Sequence, residues 1–191
     1  MAETTTNVFI AGVGGQGILL ASEILSDLAL SKGLDVKKSE VHGMAQRGGS
    51  VVSHVRFGEK VHSPVITEAE ADVLVSFEKM EALRWVSYVR PDGKIIVNTQ
   101  EIVPSGMEEY PKGVSDELAE RAPEALMIDA LKLAREAGHV RAVNTVILGA
   151  LSTDLEFPVE DWKKVIEERV PPKTVETNLK AFDLGRAAAG A

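Results

Sequence analysis

The chain has 191 residues, 45% hydrophobic and 26% charged, which suits one soluble globular domain with a full core. Its 29 acidic and 21 basic side chains leave a net charge of −8, which argues against non-specific binding to nucleic acid or to an anionic membrane surface. It has no cysteine, so thiolate-held iron–sulfur clusters, a cysteine nucleophile and disulfides are excluded, and any redox chemistry needs a bound cofactor or a partner chain.

No apolar run approaches the ~18 residues of a membrane span. Residues 1–6 are short and polar with no signal-peptide pattern, so a cytoplasmic protein is expected. Val8, Phe9 and Ile10 then read as a buried strand. A G-x-G-x-x-G pattern follows at Gly12, Gly14 and Gly17, with an extra glycine at Gly15. Ile18, Ala21, Leu25 and Leu28 repeat at helical spacing after it. Strand, glycine turn and helix are contiguous, which is the context this pattern needs. Glycines here turn the chain tightly and bring backbone N–H groups to a helix N-terminus, where an anion such as a phosphate is favoured. The bland reading is a structural turn. A dinucleotide site also needs an acid at the end of the second strand, and Asp35 and Glu40 only bracket that place.

Lys32 and Gly33 close the helix. Residues 35–40 form a strand polar enough to lie near an edge. A glycine-rich loop, His42 to Ser50, follows at a strand C-terminal end, where open α/β sheets bind ligands. Gln46 and Arg47 are its chemistry: an arginine among glycines can present a planar fork to a carboxylate or phosphate. Its bland reading is a solvated surface arginine. Residues 50–57 alternate as a strand, and 61–66 read as its hairpin partner, with Pro64 near the end of pairing. His54, alternating within that strand, is expected to face solvent or to bond locally.

Residues 72–77 are a buried strand, 78–89 a helix, 90–93 a turn and 94–98 another strand, a right-handed parallel crossover. Residues 99–116 are irregular, with one helical turn at 117–121. A short strand at 125–128 leads into a helix over 129–137, closed by Gly138. Helices at 144–151, 159–169 and 174–188 complete the chain. The whole reads as α/β, a Rossmann-like three-layer and mostly parallel sheet with a β-hairpin insertion and a helical C-terminal part, in one domain over 1–191.

No metal-ligand spacing relates His42, His54, His62 and His139, and no serine elbow, Walker lysine or carboxylate pair is present. No residue is therefore assigned a catalytic or metal-binding role. The glycine turn alone leaves open an NAD-linked dehydrogenase or a nucleotide-sensing module.

Gly12 to Gly17, followed by Met44-Ala45-Gln46-Arg47-Gly48-Gly49-Ser50-Val51-Val52-Ser53-His54-Val55-Arg56, resembles the gamma subunit or domain of the 2-oxoacid:ferredoxin oxidoreductases. The likeness continues through Ile128-Asp129-Ala130, Asn144 to Leu151 and Asn178 to Gly185, nearly the whole chain. The pyruvate, 2-oxoglutarate and indolepyruvate enzymes share this domain, and the indolepyruvate beta subunit fits equally. The resemblance implies oxidative decarboxylation of a 2-oxoacid to an acyl-CoA with ferredoxin reduction. It implies that thiamine diphosphate, magnesium and iron–sulfur clusters lie in partner subunits, that ferredoxin is met only indirectly, and that coenzyme A is a contact. Gly14, Gly15, Gln16 and Gly17 are carried over as an anion or cofactor cradle. Gln46, Arg47 and the weaker Asn144 face the active site or a subunit interface. The isolated chain is expected to be inactive, and a homodimer is one state open to it. No nucleic acid or membrane is expected as partner.

Overall fold

A computed structural model describes residues 5–42 and 49–191. Its centre is a six-stranded sheet: β1 (Thr5–Val13), β2 (Asp35–His42), β3 (Ser50–Gly58), β4 (Ala71–Ser76), β5 (Val89–Asn98) and β6 (Leu126–Ile128). The spatial order is β2-β3-β1-β4-β5-β6. The run β1-β4-β5-β6 is parallel, whereas β3 is antiparallel to both β1 and β2. Among the described residues, seven α-helices flank it: α1 (Ile18–Ser31), α2 (Lys79–Trp85), α3 (Val114–Arg121), α4 (Ala130–Ala137), α5 (Val143–Leu151), α6 (Val159–Arg169) and α7 (Val175–Ala188).

Continuous apolar strands demand cover on both faces, and β1 shows why. Val8 and Ile10 pack with α1 and the C-terminal helices, while Phe9 and Ala11 enter a second cluster with Ile66 and Leu74. Val97 of β5 meets Ala82 of α2 and Leu118 of α3. Three layers result, as the sequence predicts.

α5 and α7 lie closer than side chains normally allow. A Cβ on Gly149 would fall inside the carbonyl of Phe182, and one on Gly185 inside that of Val146. Thr145 donates to Asn178 Oδ1 at 2.6 Å across the same seam. The 144–151 and 178–185 stretches are thus two halves of one helix contact.

Three expectations change. The antiparallel hairpin is β2–β3, and 61–66 is not a strand. β3 already has a neighbour on each side, so a return strand would have no edge to pair with. That segment instead crosses the sheet face, held by Arg56 to the carbonyls of Ser63 and Val65 and by Ile66 N–H to His54 Nδ1. His54 is consequently buried, its ring edge against Phe9, rather than facing solvent. The predicted turn at 90–93 sits inside β5 as a bulge, where pairing jumps from Ala71↔Val89 to Val73↔Lys94. A Cβ on Gly93 would come within 2.8 Å of the Ala71 carbonyl, so only glycine lets the bulge close. The polar strand at 35–40 does lie at the sheet edge, as β2.

Candidate functional site

The C-terminal ends of β1, β4, β5 and β6 define one edge of the sheet, and the glycine loop caps it. Gly12 is needed for packing: a Cβ there would meet Gln16 Oε1 and Phe77 Cβ at 2.8 Å each. Gly15 and Gly17 take φ of 101° and 84°, a left-handed region that penalises any side chain. Gly17 is the N-cap of α1 and no side chain caps the helix. The first intrahelical bond runs from Ala21 N–H to the Gly17 carbonyl at 3.0 Å, so the first-turn amides point out of the helix end. Gly14 N–H donates to the Gly49 carbonyl at 3.0 Å and ties the loop to the start of β3. Gly15 is exposed at the tip, with open space where a Cβ would stand.

Gln16 turns inward. Its Oε1 accepts from Val13 N–H at 2.7 Å, and its Nε2 donates to the Phe77 carbonyl at 2.8 Å and to Gln100 Oε1 at 3.2 Å. Asn98 continues the chain of amides: its Nδ2 donates to Phe77, and its Oδ1 accepts from Ala130 N–H at 3.2 Å. The ends of four parallel strands are thereby stitched together. Asn144 is 4% exposed and lies against Gly17, whose Cβ would stand 3.1–3.3 Å from the Asn144 side chain. It buttresses the glycine turn from the α5 side. Gln46 and Arg47 lie outside the described residues.

Two buried carboxylates at this edge escape sequence reasoning. Glu78 is fully buried as the N-cap of α2, where its side chain accepts from Met80 N–H and Glu81 N–H. It also accepts from Tyr110 Oη–H at 2.6 Å and Ile102 N–H at 3.3 Å. Burial, and then Glu78 itself, push the Tyr110 phenol above its ordinary range, so it stays protonated and donating. Residues 99–113 are thus strapped across the edge. Glu81, 2% exposed, takes hydrogen bonds from Ser50 Oγ–H and Trp85 Nε1–H and pairs with Arg84. It fixes the point where β3 leaves the edge. Glutamate is not a favoured N-cap, so nothing in the local pattern marks Glu78.

A groove of about 440 Å³ opens beside Asn144, with Arg141, Lys173 and Thr177 on its walls. Two cavities of about 560 and 590 Å³ open at the opposite end of the sheet, around Arg90–Lys94. Their walls mix acids and bases and lie far from the strand C-terminal ends, so their larger volume does not make them the better site. A dinucleotide pocket is disfavoured by topology. β3 separates β2 from β1, Asp35 is engaged by Lys37 and Val61, and Glu40 by Lys38 and Ser22. Among the described residues, no group of three or more histidines and carboxylates could hold a metal, and no helix is long and apolar enough to cross a membrane.

The family described as pyruvate ferredoxin/flavodoxin oxidoreductase matches residues 7–188. The chain belongs to that family. It is 44% identical over 194 aligned residues to indolepyruvate oxidoreductase subunit IorB of Thermococcus kodakarensis, covering 96% of this chain and 95% of the relative. The corresponding subunit of Pyrococcus horikoshii is 45% identical with the same coverage. The fold matches the gamma subunit of a keto/oxoacid ferredoxin oxidoreductase from Geobacter sulfurreducens, with a TM-score of 0.71 at 24% identity over 96% of this chain and 98% of that one. Family membership makes this chain a small subunit of oxidoreductase type, and it gives the glycine edge its context.

Proposed function

We propose that this chain is the cluster-free subunit of an indolepyruvate-type 2-oxoacid:ferredoxin oxidoreductase. The observation that carries this reading is end-to-end similarity at 44–45% identity to indolepyruvate oxidoreductase subunits. The reaction is oxidative decarboxylation of the 2-oxoacid to an acyl-CoA, its electrons passing to ferredoxin. Thiamine diphosphate, magnesium and iron–sulfur clusters belong to the larger partner subunits, since a chain without cysteine offers clusters no thiolate. The protein works in the cytoplasm as one domain over 1–191.

Its own residues hold shape and charge at the edge of the partner's centre. The backbone around Gly14, Gly15 and Gly17 lets an anionic group approach the N-terminus of α1. Coenzyme A, with its phosphates, is the anionic group of this reaction that such a helix end would take. Arg47 and Gln46 supply the charged and amide contacts, and Asn144 keeps Gly17 in place. Gln16, whose hydrogen bonds are turned inward, acts by holding the turn rather than by touching the ligand.

Co-expression with the two kinds of partner tests this. A tagged chain should retain subunits containing thiamine and iron, and Arg47→Ala should lower turnover of that complex while leaving its assembly and the fold of this subunit intact. A chain that retains no such partner would remove the reading; unchanged kinetics in Arg47→Ala would return Arg47 to a solvated loop.

A further inference from the structure

β2 is the outermost strand on its side of the sheet, pairs only with β3, and runs for eight residues without a proline. Its outer row of backbone donors and acceptors faces no strand among the described residues. Edges of this length invite a further strand unless charge repels it. Its sequence in fact selects one way of accepting a copy of itself. When two identical antiparallel edges meet about a two-fold axis, some residue must stand opposite its own copy, and each residue two-sided about it pairs with its mirror position. Centring on Lys37 or Lys38 would set two ammonium groups face to face, centring on Glu40 two carboxylates, and centring on Val36, Val41 or either strand end would leave at most three residues of each β2 facing the other. Centring on Ser39 sets hydroxyl against hydroxyl. It also places Lys38 opposite Glu40 of the second copy, twice, and Lys37 opposite Val41. Opposite charges directly across a pair stabilise and like charges destabilise.

The existing geometry prepares that arrangement. Lys38 and Glu40 already pair at 2.8 Å within the strand, so both lie on the α1 face with their charged ends in reach of a neighbour. Val41 is 55% exposed, and the methylenes of an opposing Lys37 would cover it. We infer that two copies of this chain join β2 to β2 in antiparallel register centred on Ser39, making one twelve-stranded sheet from the two six-stranded ones. This surface is independent of the glycine edge and of the proposed reaction.

The absence of native cysteine makes the test direct. The full chain carrying Ser39→Cys should oxidise to a covalent dimer, because residues opposite each other in an antiparallel pair sit about 4.5–5.5 Å apart at Cα, within disulfide reach. Lys37→Cys should not, since four positions of offset separate its two copies. Sedimentation should show a dimer for the native chain and a monomer for Lys38→Glu, and the double exchange Lys38→Glu with Glu40→Lys should restore the dimer. A native chain that sediments as a monomer would overturn the proposal. So would Ser39→Cys that stays reduced, or that crosslinks no faster than Lys37→Cys, the outcome expected if a partner subunit or solvent occupies the edge.

Discussion

Gln16 shows how a residue inside a ligand-type motif can serve the fold. Its amide makes three hydrogen bonds within the protein, one of them to a main-chain N–H and one to a main-chain carbonyl. Gln16→Ala should lower unfolding free energy by about 2–4 kcal/mol, at roughly 1 kcal/mol per bond plus the cost of groups left unpaired, as read by urea denaturation. A change within error would mean the network does not hold the turn. His54 carries a pH signature. Burial first, and the Arg56 charge second, hold its imidazole below the ordinary value of 6.5. The unfolded chain therefore takes up a proton on this residue below about pH 6.5, and the folded chain resists until its lower value is passed. Stability should fall with acid across that window in the native chain. In His54→Gln, whose amide oxygen can still accept from Ile66 N–H, that part of the fall should be missing. Parallel stability curves from pH 8 to pH 5 would contradict the assignment.

At the level of elements, the seam between α5 and α7 is set by glycine. Gly149→Ala or Gly185→Ala must push the helices apart, and overpacking of this kind costs about 1–3 kcal/mol. For a chain of this size that corresponds to a melting point lowered by about 2–4 °C per kcal/mol, measurable by thermal unfolding. An unshifted melting point would mean the seam yields freely. This element pair also marks what the sequence could and could not tell. The small apolar run of 144–151 and the stripe of 174–188 were legible as helices, but their mutual contact is a tertiary fact that no periodicity encodes. The strand, glycine turn and helix at 8–28 were legible because tight turning and apolar repetition are local. That 61–66 forms no hairpin strand is not legible, because alternation alone does not reveal that β3 has neighbours on both sides. In the site, the glycine loop was found from its spacing. Glu78, Gln100 and Tyr110 were not, since they converge from two separate segments, the start of α2 and the strap of 99–113, that only the fold brings together.

Across the whole molecule, the two proposals divide the sheet into one edge for contact, at its strand ends, and another, β2, for pairing with a second copy. The contact edge holds the glycine loop, the Asn144 buttress and the strap of 99–113, which Glu78 and Gln100 bind to the sheet ends. An edge stitched this closely should be stiff. Gln100→Ala should loosen it, raising amide exchange in residues 99–113 above that in β4, whereas equal protection in the variant and the native chain would show that Gln100 is not what ties the strap. On the proposed function, such an edge shapes a redox centre belonging to other chains. The most direct measurement is the rate of ferredoxin reduction with indolepyruvate and coenzyme A as this chain is titrated into the thiamine- and cluster-bearing subunits. This chain by itself should give no turnover, and the rate should rise with added chain until the partners are saturated; turnover by the lone chain, or a rate indifferent to its addition, would remove the proposed function.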